Sequence, residues 1–305
     1  MAVADILALP LVLVGPGRAG KALARSWKRA GGRLALVVAR TRSGARRAGR
    51  ELSAHGATAS GMPERCELLV VAVPDDRIAA VARDLARRTS CRFAFHLSGA
   101  LPAALLAPLA RRGAAVGSLH PLRAFPAQDG ENDGDLAGWE GALVAIEGDP
   151  AAVDAGEQLA AALGATGRRI DTASKPLYHA AATLAAGGTM ALLSVSVRAA
   201  VRAGLTEPEA RAALGRLAAE AAAATVSRPF PRAYTGPIAR RDAHTVRAHR
   251  AAAAGLPEFL ELYRMLAREI LETMPRRGGE RRVRAALGVR RREARRTRKS
   301  RRRPT

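Results

Sequence analysis

The sequence predicts an N-terminal α/β domain, built on a doubly wound parallel sheet, followed by an all-α domain. Two observations predict this fold class. Up to about residue 172, short apolar runs alternate with segments of helical periodicity, which is the pattern of a parallel sheet covered by helices on both faces. Beyond that point only helical periodicity continues, and a chain of 305 residues is long enough to fold as two domains.

Several apolar runs in the first part have the length and composition of buried strands. They cover residues 9–14, 34–39, 68–73, 93–97, 115–119, 143–146 and 166–170. A segment rich in Gly, Asp and Asn at 128–138 is predicted to be a surface loop. Helical patterns then run over 175–203, 207–226, 239–253 and 257–273. We therefore predict an α/β domain at 1–172 and a helical domain at 173–275.

The net charge of +23 is unevenly distributed along the chain. Nearly all of the 50 basic residues are arginines, and this compositional bias makes the total charge weak evidence for a nucleic-acid partner. Residues 276–305 hold 15 basic residues and two acidic ones. We predict that this segment is a disordered, solvated tail, with contact to RNA or another anionic surface as the alternative.

One uncharged stretch is long enough to be considered as a membrane-spanning helix. Residues 176–197 are uncharged and, at about 1.5 Å per residue, would cross a bilayer core of about 30 Å. The stretch is mostly Ala and includes hydroxyl residues and the pair Gly187 and Gly188, which insert poorly compared with Leu, Ile and Phe. We expect a buried helix of a soluble protein, and a membrane span is the alternative.

The cysteines indicate the compartment. Cys66 and Cys91 match neither a metal-ligand spacing nor a disulfide framework, which is typical of a reducing cytosol. We therefore predict a cytoplasmic protein, and the sequence predicts no metal site.

A glycine-rich turn predicts a dinucleotide site. The segment matches the GxGxxG pattern, follows the first long apolar run directly and opens a helical segment, so that a pyrophosphate would lie on a helix N-terminus. The predicted contacts are Gly15, Pro16, Gly17, Arg18, Ala19 and Gly20. In this pattern the first glycine makes the turn, the second admits the phosphates, and the third allows the helix to pack closely on the strand.

The residues after the second run favour NADP over NAD. An NAD site usually places a carboxylate about 20 residues after the first glycine, yet no acidic residue occurs between Asp5 and Glu51. Cations and hydroxyls that suit a 2′-phosphate stand there instead. They are Arg40, Thr41, Arg42 and Ser43, and further cofactor contacts are predicted at Val73, Pro74, Ser98 and Gly99.

Polar residues that follow the next strands are candidates for the chemistry. His120 follows a strand at the edge where ligands of parallel sheets bind, and an imidazole there can exchange a proton with a substrate hydroxyl. A loop histidine that caps backbone groups is the alternative. Ser98 is predicted to orient the substrate, or else to form a turn. His179, with Tyr178, opens the long helix and is predicted to contact substrate, with helix packing as the alternative. His96 is expected to be structural.

These motifs together resemble a known family. The segments GPGRAG, VAVPDD, FHLSGA, GSLHPL, KPLYHAAA and TGPIARRD occur in this order between residues 15 and 242. The chain resembles, over about residues 9–272, the family that joins a Rossmann-like domain to the domain DUF2520. That resemblance implies an NADP-dependent oxidoreductase whose helical domain is similar to the C-terminal domain of 6-phosphogluconate dehydrogenase, and a homodimer formed through that domain. A more distant similarity to prephenate dehydrogenases implies substrate contacts from Ser98 and His120.

The sequence thus predicts an NADP-dependent oxidoreductase that transfers hydride between nicotinamide and a small organic substrate held between the two domains. His120 would be its acid/base. Two alternatives stay open at this point. One is a non-catalytic NADP-binding sensor or nucleic-acid-associated protein that uses the Arg-rich tail. The other is a reductase of cyclic imines similar to pyrroline-5-carboxylate reductase, which the fold permits but no residue specifies.

Overall fold

The computed structural model describes residues 3–125 and 138–288. The chain divides into two compact units, Met1–Ala186 and Gly187–Thr305. The division falls later than the predicted boundary at residue 172. The reason is that the first turns of the long helix hydrogen-bond to the strands of the first unit, for example from Lys175 to Ser118.

The first unit is built on one mixed sheet. Its described strands are β1 (Leu11–Val14), β2 (Leu34–Val38), β3 (His55–Ala57), β4 (Arg65–Val71), β5 (Ser90–His96), β6 (Ala115–Pro121), β7 (Leu143–Gly148) and β8 (Thr166–Arg169). They lie in the order β3-β2-β1-β4-β5-β6-β7-β8. Strands β1 to β6 are parallel, which confirms the predicted doubly wound sheet. Strand β7 runs antiparallel to β6, and an apolar run in a sequence does not reveal this direction.

Helices cover both faces of this sheet. They are α1 (Val3–Leu7), α2 (Arg18–Arg29), α3 (Arg42–Glu51), α4 (Ile78–Ala86), α5 (Ala107–Ala110) and α6 (Pro150–Ala162), whereas α7 (Lys175–Thr183) begins beside the strand ends. Successive residues of β1 point to opposite faces. Leu13 is buried in one core with Trp27 of α2, and Val12 is buried in the other with Ile78 of α4. The sheet therefore separates two apolar cores and exposes its strand ends for a site.

Two local predictions differ from the structure, and a third falls almost entirely outside the described residues. The first strand begins at Leu11 rather than residue 9, because Leu9 lies in the turn after α1, where its N–H donates to the Ile6 carbonyl, and Pro10 has no N–H for the sheet. Strand β3 was not predicted, since three residues that include Gly56 carry no detectable period. The predicted loop at 128–138 lies outside the described residues except for Gly138.

The second unit is helical throughout its described residues, as predicted. A π-helical turn (Leu184–Gly188) leads from α7 into α8 (Thr189–Arg202). The helices α9 (Glu207–Ser227), α10 (Phe230–Ala233), α11 (Gly236–Ala239), α12 (Ala243–Ala252), α13 (Pro257–Thr273) and α14 (Glu280–Ala286) follow. Helix α9 begins with a capping box between Thr206 and Glu209, which satisfies two exposed helix-end donors.

Helix α14 lies inside the segment predicted to be a disordered tail. Val283, Ala286 and Leu287 recur at helical spacing, are buried, and pack in the core of the second unit with Ile238 and Leu271. The prediction of disorder is therefore wrong for residues 280–288, because the arginines around these three positions conceal their apolar period. Residues 289–305 lie outside the described part of the chain, and an anionic contact through them stays a prediction.

The long apolar helix is not buried within the chain, contrary to expectation. The helix Thr172–Arg202 is long and apolar enough to cross a membrane by length and composition alone, and none of its most apolar window is buried. Leu177, Leu184 and Met190 are exposed to 79%, 73% and 69%. Exposed apolar side chains that lie together on one helix are typical of a surface that contacts another protein or a membrane.

Candidate functional site

The glycine turn joins β1 to α2 and is closely packed. Gly15 has φ of +91°, and a Cβ placed on it would lie 2.6 Å from the carbonyl oxygen of Ala72. A Cβ on Gly20 would lie 2.5 Å from the carbonyl oxygen of Gly15. Side chains are excluded at both positions by backbone atoms. This contact brings α2 against the ends of β1 and β4, where the strand order reverses.

The space in front of this turn is open. A Cβ on Gly17 would meet no neighbour closer than the Ala72 carbonyl oxygen, at 4.0 Å. Helix α2 starts immediately afterwards at Arg18, and its first N–H groups have no acceptor within the helix. The first turn of α2 holds no acidic side chain. Such a helix start, with Pro16 and Ala19 beside it, suits the pyrophosphate of a dinucleotide.

The basic residues predicted for a 2′-phosphate lie beside the same turn. The N–H of Gly15 donates to the carbonyl of Val38 at 2.9 Å, which places the glycine turn next to the end of β2. The four side chains that follow are exposed: Arg40, Thr41, Arg42 and Ser43. Thr41 caps α3 by accepting from Gly44 N–H at 3.1 Å. The Arg side chains are thus left on the surface beside the turn.

Val73 and Pro74 border the glycine turn from the other side. Strand β4 ends at Val71, and a side-chain methyl carbon of Val73 would lie 2.8 Å from a Cβ on Gly15. Pro74 then opens the short 3-10 turn Asp75–Arg77. The structure therefore brings all the predicted residues around the glycine turn to one edge of the sheet. Their role in binding a cofactor stays a prediction.

His120 and Tyr178 form a hydrogen-bonded pair at the end of β6. The Tyr178 hydroxyl donates to the His120 carbonyl oxygen at 3.2 Å, and His120 Nδ1 lies 3.0 Å from the same hydroxyl. When the hydroxyl proton lies on the bond to the carbonyl, Nδ1–H donates to the Tyr178 oxygen. This arrangement corresponds to the neutral tautomer of His120 that has its proton on Nδ1 and its lone pair on Nε2.

Burial sets the protonation state of this pair. It lowers the pKa of His120 to about 4, an effect that His179 and Lys175 reinforce and Asp75 opposes. Burial also raises the pKa of Tyr178 to about 12. At neutral pH the imidazole is therefore neutral and the phenol is protonated. Nε2 of His120 is an available proton acceptor under these conditions.

His179 lies against the other side of His120. The two imidazole rings meet edge to face, with their centroids 5.3 Å apart. His179 Nδ1 is buried and makes no hydrogen bond to any described residue. A Cβ on Gly99 would lie 2.5 Å from this atom and 2.8 Å from two ring atoms of His120. Gly99 therefore leaves the room in which both imidazoles approach the loop after β5.

The Ser98 hydroxyl is fully engaged by Asp75 and by N–H groups of its own loop. Its hydroxyl donates to Asp75 Oδ2 at 2.7 Å and accepts from Ala100 N–H and Leu101 N–H at 3.3 and 3.1 Å. A substrate contact would have to replace one of these bonds, so this geometry favours the turn-forming alternative. His96 is also structural, as expected. Its Nδ1 accepts from Ser98 N–H, and Nε2 lies 3.1 Å from the Pro102 carbonyl oxygen.

A buried ionic cluster lies beneath these residues and was not predicted. The ammonium of Lys175 donates to Ser118 Oγ at 2.6 Å and to the Ser98 carbonyl at 3.2 Å, and lies 3.9 Å from Glu147 Oε2. Burial lowers the pKa of Lys175, although Glu147 and Asp75 oppose this. One signal of this position was present in the sequence. Lys175 is one of four lysines among the 50 basic residues, and it lies in an otherwise uncharged stretch, which is compatible with a site for a compact ammonium.

The fold and the glycine turn define a Rossmann-like α/β protein with a helical C-terminal unit. Residues 6–121 match the Rossmann-like domain, and residues 142–270 match the domain of unknown function DUF2520. The chain therefore belongs to the family that joins these two domains. No curated protein sequence matches it.

Solved structures share this fold at low sequence identity. A candidate NADP oxidoreductase from Bacteroides fragilis has a TM-score of 0.66 at 21% identity, covering 88% of this chain and 99% of that one. A protein from Thermotoga maritima has a TM-score of 0.68 at 22% identity, covering 86% and 97%. A 1-pyrroline-5-carboxylate reductase from Streptococcus pyogenes has a TM-score of 0.59 at 12% identity, covering 93% and 100%. At these identities the likeness establishes the common fold.

Proposed function

We propose that the protein is an NADP-dependent oxidoreductase that acts on a small organic molecule with a hydroxyl or carbonyl group. The observation that carries this proposal is the neutral His120 imidazole, held by Tyr178, on the same carboxyl edge of the sheet as the glycine turn. Similar folds include a candidate NADP oxidoreductase and a pyrroline-5-carboxylate reductase, which supports the class of reaction without naming the substrate.

The residues present fit a dinucleotide. Gly15 and Gly20 exclude side chains from the turn, Gly17 leaves space in front of it, and the N-terminus of α2 offers N–H donors to a pyrophosphate. Arg40 and Arg42 would neutralise a 2′-phosphate. When bound, the nicotinamide ring accepts or releases a hydride.

His120 would manage the proton that accompanies the hydride. In the direction of oxidation, Nε2 accepts the proton of the substrate hydroxyl, while Tyr178 holds the ring through Nδ1. In the reverse direction, the imidazolium returns the proton to the substrate oxygen. His179 would form the wall of the site beside His120, with its ring edge to face against that imidazole. Ser98 would shape the loop beneath them through Asp75.

A panel of hydroxy acids, alcohols and cyclic imines, followed by NADPH absorbance, tests this function. We expect oxidation of a hydroxyl compound in the presence of NADP, or reduction of the matching carbonyl compound with NADPH. Turnover of a cyclic imine alone would favour an imine reductase and remove the role of His120 as a hydroxyl base. Failure of NADPH to bind in calorimetry would overturn the proposal.

The preference for NADP over NAD depends on the arginines after β2. We expect NADPH to bind at least about tenfold more tightly than NADH, and Arg40→Ala with Arg42→Ala to remove most of this difference, since each charged hydrogen bond contributes about 1.5–3 kcal/mol. Calorimetric titrations with both cofactors measure it. Arg47→Ala, an exposed arginine on α3, is the matched control. Tighter binding of NADH by the wild-type chain would refute the preference.

We also propose that the chain forms a homodimer through its helices and works in the cytoplasm. Met190 on α8 and Leu217 on α9 are large apolar side chains that are exposed to 69% and 60%. Contact with the same helices of a second copy would bury them, which supports self-association. A cytoplasmic location agrees with the free thiols of Cys66 and Cys91.

Substituting these helices should weaken the dimer. We expect Met190→Glu with Leu217→Glu to shift the wild-type dimer to monomer at micromolar concentration, because each buried carboxylate would lack a partner. Size-exclusion chromatography with light scattering measures the mass. Leu143→Gln, which alters an exposed apolar residue on β7, should leave the dimer intact. A monomeric wild-type chain would end this part of the proposal.

A further inference from the structure

Lys175 is a fully buried cation that the proposed reaction does not yet use. Its side chain has no exposed surface. Isolating an ammonium from water is costly unless acceptors surround it, and here they are Ser118 Oγ, the Ser98 carbonyl and the nearby Glu147 carboxylate. Since no part of Lys175 reaches the surface, it cannot touch a substrate. Its role has to be exerted through the residues that it holds.

Those residues come from separate elements that converge on the site. Ser98 lies in the loop after β5, Ser118 on β6 and Glu147 on β7. The Glu147 carboxylate also accepts from Ala103 N–H at 2.9 Å, from Ser118 Oγ at 3.2 Å and from Thr172 Oγ1 at 2.8 Å. The cluster therefore connects the loop that contains Gly99 to the start of the long helix.

Helical spacing carries this connection to the imidazoles. Lys175 is the first residue of α7, and Tyr178 and His179 follow it three and four positions later, on the same face of the helix. Anchoring Lys175 thus fixes both the rotation and the height of α7 above the strand ends. Tyr178 then meets His120 Nδ1 at 3.0 Å, and the His179 ring lies edge to face against His120.

We propose that Lys175 is a positioning residue: its buried ammonium fastens the first turn of α7 to Ser98 and Ser118 and thereby holds Tyr178 and His179 against His120. The proposal rests on the proposed function, because it assigns Lys175 a part in that same site. It also makes the Nδ1–H tautomer of His120 depend on a side chain that His120 does not contact through any hydrogen bond.

The charge of Lys175 contributes a second effect. The groups that act electrostatically on His120 are Lys175 and His179, which lower its pKa, and Asp75, which raises it, while Glu147 faces Lys175. Removing the ammonium should therefore move the pKa of His120 upward. A lysine that only filled space would leave both the tautomer and the titration of His120 unchanged on replacement by an apolar side chain of similar length.

Nitrogen-15 NMR of the imidazoles in the full chain, with and without NADPH, tests the proposal. In the wild type we expect His120 to show protonated Nδ1 and unprotonated Nε2. In Lys175→Met we expect a mixture of tautomers and a higher titration midpoint, and a fall in kcat of about 10²-fold on a substrate from the panel, with KM for NADPH within about twofold. Lys28→Met, which removes a lysine that donates to the Leu52 carbonyl, is the matched control.

A second variant covers the case in which Lys175→Met does not fold. Ser118→Ala removes the shortest hydrogen bond of Lys175 and keeps the charge. It should mix the tautomers of His120 with little shift of the titration midpoint. The proposal would be overturned if both variants gave wild-type imidazole signals. If Lys175→Met is unfolded, wild-type signals in Ser118→Ala alone would overturn it. These signals are read without substrate, so they are distinct from a failure of the proposed function, which would show as absent NADPH binding.

Discussion

Replacing His120 with Asn should lower the turnover of a hydroxyl substrate by about 10²- to 10⁴-fold, because the variant loses the nitrogen that accepts the substrate proton. The amide of Asn can keep the contact to Tyr178 but provides no basic lone pair. The affinity for NADPH should stay within about twofold, since the predicted pyrophosphate contacts lie at the glycine turn. Steady-state rates and calorimetric titration of the same preparations separate the two effects.

The pH profile of the wild type provides an independent measure. The pKa of His120 is lowered to about 4. The neutral imidazole therefore predominates above that pH, and the imidazolium predominates below it. The rate of hydroxyl oxidation should therefore be level in weakly acidic buffer and fall as the pH drops through about 4. His120→Asn should lose this limb of the profile at its low residual rate.

A matched histidine controls for general damage to the protein. His55 is exposed on β3, at the far edge of the sheet from β6. We expect His55→Asn to keep wild-type turnover and the wild-type pH profile. Full turnover by His120→Asn on the same substrate would remove the acid/base role of His120.

Replacing Gly15 with Ala should abolish cofactor binding and destabilise the first unit. The substitution forces an L side chain into a backbone with φ of +91°, which costs about 1–3 kcal/mol, and it also drives a methyl group to 2.6 Å from the Ala72 carbonyl oxygen. Relief of that clash requires the glycine turn to move away from β4. We expect NADPH affinity to fall at least about 10²-fold, because the turn no longer presents the start of α2 correctly.

Gly31 separates the two causes of this loss. It has the same φ of +91°, at the other end of α2, and a Cβ there would meet nothing within 4 Å. Gly31→Ala should thus show the strain of the backbone conformation without the clash, lowering the melting temperature while NADPH affinity is retained. Calorimetry and thermal unfolding of both variants measure the difference. Equal NADPH affinity in the two variants would show that the close contact with Ala72 is unimportant.

The features that the sequence predicts well are local ones. The glycine turn is readable because a run of apolar residues, three glycines and a helical period stand next to each other, and the structure places Gly15 and Gly20 where backbone atoms exclude side chains. The sequence also placed His120 at the carboxyl end of an apolar strand, and the structure has it near the end of β6, which continues to Pro121. Both predictions rest on residues that are close together in the sequence.

The buried cluster could not be predicted in this way. Lys175 meets Ser98 across 77 residues of sequence, and Glu147 meets Ala103 across 44. Such contacts follow from the strand order and from the reversal of β7, neither of which an apolar run reveals. The compact units divide after Ala186 rather than at residue 172 for the same reason, since contacts of Lys175 and Tyr178 attach α7 to the first unit.

The burial of the long helix failed for a different reason. Apolar composition shows that a surface avoids water but does not show whether the cover comes from the same chain. Leu184 and Met190 satisfy every criterion of a core position, yet they are exposed here. The sequence of a single chain does not show which apolar residues contact another molecule.

The two edges of the described sheet limit strand pairing with another molecule. Strand β3 has three residues and begins with exposed His55, and strand β8 has four, with Arg169 bonded to Asp154 and Glu157 on the surface. Short, charged edges of this kind resist pairing with a strand of another molecule. The described sheet therefore presents no long, flat edge on which a strand of another molecule could pair.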